Sequence, residues 1–127
     1  MQVNESELDA AISDASDYDT DYLYYLIGSS IAGPDYVPQS AGEAAERGKS
    51  FLERFKTELQ GVVCGKDGPY EMLVKGLATE KNLPTKIAVA VLAGVPVLGG
   101  VAVTYILAAY IGLILVRAGL GAYCAKA

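Results

Sequence analysis

Residues 87–116 contain no charged side chain, thirty positions in succession. That length exceeds the roughly 20 residues a helix needs to cross a bilayer. Whatever this chain folds into, it must either surround that stretch with its own apolar surface or hand it to lipid.

Three features divide the stretch. Gly94, Pro96, Gly99 and Gly100 interrupt it, leaving one short segment and one of marginal spanning length, Val97–Val116. Tyr105 and Tyr110 would sit at hydrocarbon depth rather than in an interfacial aromatic belt. Basic residues flank both ends, so charge gives no orientation. In addition, the earlier part of the chain carries apolar stripes at helical spacing that need something to pack on, and a uniformly apolar helix at the centre of a bundle supplies it. The expected fold is therefore all-α, a compact bundle of five or six helices around an apolar C-terminal helix, with residues 1–127 forming a single helical domain. The alternative is a membrane-anchored or membrane-inserting accessory or effector protein that uses residues 87–116.

The helices are placed by their caps and stripes. Asn4, with Glu7 three residues on, opens a first helix whose inner face is Leu8, Ala11, Ile12 and Ala15. A second runs from Thr20 to Ile31 on Leu23, Leu26, Ile27 and Ile31, and Gly33-Pro34 stops it. Residues 33–40 read as a loop. Ser40 and Glu43 form a capping box for the longest helix, Ala41 to Cys64, where Gly48 permits a close helix crossing. Asp67 is expected to cap a fourth helix with Pro69 in its first turn. Pro84 to Ala93 forms a fifth and Val97 to Ala118 a sixth.

Charge is uneven. Residues 1–46 carry ten acidic side chains and no basic one, whereas residues 47–127 carry ten basic and five acidic. Clustered phosphate contacts, and with them nucleic-acid binding, are disfavoured. Within the molecule, the asymmetry lets the acidic first helices lie against the basic third and fourth. Outward, it offers an acidic patch to a basic partner. The N-terminus is polar and acidic where a secretory signal needs a basic start and an apolar run, so a cytoplasmic location is expected.

No histidine is present, which removes the usual general base and the commonest metal ligand. Cys64 and Cys124 are far apart and are read as two small buried apolar residues rather than a disulfide. Asp17, Asp19 and Asp21 resemble the opening of a calcium loop, but Tyr22 stands where the turn glycine belongs and Gly28 where the closing glutamate belongs. No phosphate-binding loop is found. The expectation is a non-enzymatic domain without catalytic residues, cofactor or metal. What remains is tyrosine: nine in the chain, five of them among residues 18–36. Rigid phenol rings beside carboxylates suit protein recognition. The candidate contact residues are Tyr18, Asp19, Asp21, Tyr22, Tyr25 and Tyr36, and the expected function is protein–protein interaction or self-association.

Overall fold

The computed structural model describes residues 3–32 and 40–125. Helix α1 spans Glu5–Ala15 and α2 spans Thr20–Ile31. Asn4 caps the first through Glu7 N, and Asp19 caps the second through Tyr22 N at 2.7 Å. Most of the loop expected at 33–40 lies outside the described residues. Ser40 then caps α3, Ala41–Arg54, and α4 follows at Lys56–Val63. The later elements are α5 (Pro69–Val74), α6 (Leu83–Gly94), strands β1 (Val97–Leu98) and β2 (Val101–Ala102), α7 (Tyr105–Ala118) and α8 (Leu120–Cys124). The fold is an all-helical bundle with one minor antiparallel hairpin.

The described residues form eight helices, not the five or six expected from sequence. Two changes account for the difference. The long helix expected over Ala41 to Cys64 breaks at Phe55, whose backbone (φ -104°, ψ 20°) leaves the helical region and ends α3 as α4 begins. The Phe55 ring packs edge-on against Phe51, and the hairpin tip at Gly99 lies directly on it. The second change is α8, which follows the bend at Gly119 (φ 89°).

The start of the sixth predicted helix is also different. Gly99 and Gly100 both have positive φ, 57° and 82°, which suits the two-residue turn of a tight hairpin pairing Val97 with Ala102 and Leu98 with Val101. The apolar helix therefore begins only at Tyr105, capped by the Thr104 hydroxyl, which accepts from Leu107 N. At 14 residues, α7 is about 21 Å long. No helix among the described residues is long and apolar enough to cross a membrane. Asp67 does not cap α5 either. Gly68 occupies the cap position, while Asp67 adopts a left-handed conformation (φ 63°) and its N–H donates to Glu71.

Helix α7 is the centre of the bundle. Leu107, Ala108, Ala109, Ile111, Leu113, Ile114 and Leu115 are buried, covered by α6, α1 and α2. Leu8, Leu23, Ile27, Leu59, Ile87 and Val91 project into the same core, each with no exposed surface. Burying an aliphatic side chain of this size contributes on the order of 1.5–3 kcal/mol, so the uncharged stretch is a large part of what holds the domain together.

Polar ties hold the earlier helices onto this core. Arg117, near the end of α7, donates to Ser16 O and Thr20 Oγ1 at the α1–α2 junction. Glu5 pairs with Lys86 on α6 at 3.5 Å, and Thr85 donates to Asp9. The acidic helix α1 thus packs chiefly on α6 and α7 rather than on the third and fourth helices, while α2 does lie against α3.

The two cysteines form a disulfide, contrary to the sequence expectation. Cys64 just past α4 is bonded to Cys124 at the end of α8, with their Cα atoms 5.5 Å apart. Sequence separation hides this proximity, because only the return of α7 across the bundle brings the two ends together.

A candidate recognition face of tyrosines and carboxylates

Helix α2 turns its tyrosines in two directions. Tyr18, just before the helix, meets Tyr22 edge to face at 5.0 Å between centroids, and Tyr22 stacks on Tyr25 at 5.8 Å with the planes 10° apart. The spacing explains the ladder: residues three and four apart fall on one helical face. Tyr24 points the other way, toward α7 and α8.

This ladder joins two open grooves. Between α2 and α3, Asp21, Tyr22 and Tyr25 face Ala41, Gly42, Ala45 and Glu46 across a space of about 780 Å³. Between α1 and α7, Tyr18 lies with Glu7, Asp14, Ile106 and Tyr110 along a space of about 380 Å³ floored by Ala10, Ala11 and Ala15. Tyr18 belongs to the second groove and touches the first through Tyr22, so the two form one continuous face. Tyr22 and Ile106 are both unusually exposed for their type, at 43% and 55%, which marks apolar surface available to a partner.

The electrostatics are one-sided. Among the described residues, Glu7, Asp14, Asp21 and Glu46 line the grooves against a single base, Lys49. Lys49 is already shared between Asp21 at 3.8 Å and Glu46 at 3.7 Å. Such exposed pairs contribute little to stability, so they are readily exchanged for a partner's cation. Burial pushes the Tyr110 phenol above its ordinary value, with the neighbouring Tyr18 and Tyr22 adding to the effect. It therefore stays neutral and able to donate throughout the ordinary pH range.

Of the six residues singled out from sequence, Tyr18, Tyr22, Tyr25 and Asp21 lie together on this face. Asp19 lines neither groove and has one carboxylate oxygen committed to capping α2. Tyr36 is outside the described residues. Sequence reasoning missed Glu7, Asp14, Ile106 and Tyr110. The spacing of Ile106 and Tyr110 places them on one side of α7, but a helix without charges offers no polar face to say which side is outside. Among the described residues, no three His, Cys, Asp or Glu side chains come close enough to hold a metal ion together.

Compared with protein-family models, curated proteins and solved structures, the chain matches none.

Proposed function

We propose that this chain is a non-enzymatic protein-interaction domain that docks a basic segment of a partner protein on the tyrosine–carboxylate face of α1, α2 and α3. The observation that carries the reading is the Tyr18–Tyr22–Tyr25 ladder flanked by carboxylates from both grooves. An arginine or lysine laid along it gains a ring face for cation–π contact and a carboxylate for charge at the same point. Shallow grooves between helices suit an extended or helical segment rather than a small substrate. The Cys64–Cys124 bridge supports an oxidising working environment over the cytoplasm anticipated from the N-terminal sequence.

Isothermal titration with an arginine-rich amphipathic peptide, and with the same peptide carrying glutamate for arginine, tests this. The arginine peptide should bind and the glutamate peptide should not. Because a tyrosine that acts as an interface hot spot costs about 2 kcal/mol or more when truncated, Tyr22→Ala combined with Asp21→Asn should weaken binding by about tenfold or more. Undiminished binding by that variant contradicts the proposal. So does an oligomer in sedimentation whose dissociation follows the same two substitutions, since the face would then be a contact between copies.

A further inference from the structure

Lys49 stands where a partner's cation would go. Its Nζ lies 3.8 Å from Asp21 on α2 and 3.7 Å from Glu46 on α3. Both distances exceed the length of a hydrogen bond, so the ammonium shares its charge between the two carboxylates and bonds neither. The carboxylates themselves are open, with side chains 84% and 75% exposed against 45% for Lys49. A cation arriving along the groove reaches both without any part of the fold opening.

The rest of the groove says which cation fits. Asp21, Tyr22, Tyr25 and Glu46 line the same space, and the two rings stack with their planes 10° apart. A guanidinium is flat, carries five donors in one plane and stacks on aromatic faces. It can hydrogen-bond both carboxylates while lying against Tyr22. An ammonium is a compact point charge on a single nitrogen, and Lys49 already shows one placed between these acids at charge-pairing distance alone.

Lys49 also has somewhere to go. It lines the neighbouring space between α3 and α7 as well, with Nζ 5.5 Å from the Tyr24 ring centroid and Glu53 one turn further along α3. Side chains four apart on a helix are neighbours, so Lys49 can turn to Glu53 once the groove is filled. We propose that Asp21 and Glu46 form a subsite for one arginine of the partner, and that Lys49 is its resident occupant, which that arginine displaces. The inference rests on the docking reading and names the group recognised at one point of that face. Lys49 then sets how strong a partner must be to dock.

The test uses the intact, oxidised protein and the arginine-rich amphipathic peptide, beside the same peptide with lysine for arginine. The arginine peptide should bind several-fold more tightly. Lys49→Met keeps the aliphatic stem over Tyr24 and removes the competing charge, so it should tighten binding of the arginine peptide about threefold to fivefold, the size of one exposed ion pair. Lys56→Met removes the same charge outside the groove and should change affinity much less. A short probe, N-acetylarginine methylamide, reads the subsite apart from the rest of the face. In the Lys49→Met protein it should give saturable amide shifts at Asp21, Tyr22 and Glu46. Saturable shifts there with no binding of either peptide would overturn the docking reading and leave the subsite standing. Peptide binding that is equal for arginine and lysine, or equally tightened by Lys49→Met and Lys56→Met, would overturn the subsite and leave the docking reading standing. Absence of both peptide binding and probe shifts would overturn both.

Discussion

Gly28→Ala should destabilise the protein by about 3 kcal/mol or more, the upper range for overpacking a tight contact. A Cβ on Gly28 would lie 1.8 Å from Ala44 O and 3.1 Å from Gly48 N, and one on Gly48 would lie 2.2 Å from Tyr24 O. These are backbone atoms of the facing helix, so no side chain can rotate out of the way and α2 and α3 must move apart. Separation of the pair would also widen the groove that Asp21, Tyr22 and Tyr25 form with α3, so peptide affinity should fall with stability. Gly61→Ala is the matching control. It lies within α4 with nothing within 4 Å of the added atom, and should stabilise by about 0.5–1 kcal/mol through helix propensity alone. Urea unfolding of the two variants, with the dependence on denaturant unchanged, checks both signs.

Loss of the Cys64–Cys124 bridge should have an effect of similar size. Sixty positions separate the cysteines, and closing a loop of that length restricts the unfolded chain enough for a typical contribution of about 2–4 kcal/mol. Replacing both cysteines by serine, or adding a thiol reductant to the parent, should lower the urea midpoint by the same amount. Reductant should then do nothing further to the double variant. The local consequence is release of α8, which is then tied to α4 by the weaker Gln60–Tyr123 hydrogen bond and the Lys56–Tyr123 ring contact. An unchanged midpoint after verified reduction would contradict this assignment.

The caps of α1 and α3 were legible because they are local. Asn4 and Ser40 accept from backbone N–H groups three residues on, and that arrangement is written in adjacent positions of the sequence. Gly48 was legible for a related reason, since a glycine within an apolar stripe marks where another helix comes near. The sequence reading failed where a local signal was overruled or ignored. Val97–Ala102 has the Gly-Gly turn of a hairpin between short apolar pairs that each include a valine, but the apolar run continuing beyond it drew the helix boundary eight residues too early. The break at Phe55 and the pairing of Cys64 with Cys124 depend on which distant segments arrive, the hairpin in one case and α8 in the other. Neither arrival has a counterpart in spacing or composition.

The candidate face divides along the same line. Tyr18, Tyr22 and Tyr25 share a helical face by their spacing alone, so their ladder follows from sequence. Their junction with Glu7, Asp14, Ile106 and Tyr110 requires α1 to lie on α7, whereas charge asymmetry suggested a different neighbour.

Hydrogen–deuterium exchange in detergent-free buffer asks most directly whether the protein encloses its own uncharged helix. The amides of Ile111 through Leu115 should exchange most slowly, protected to nearly the free energy of global unfolding, and added detergent should leave them unchanged. Rapid exchange across that segment, slowed only when detergent is present, would show that lipid-like solvent rather than α1, α2 and α6 covers it.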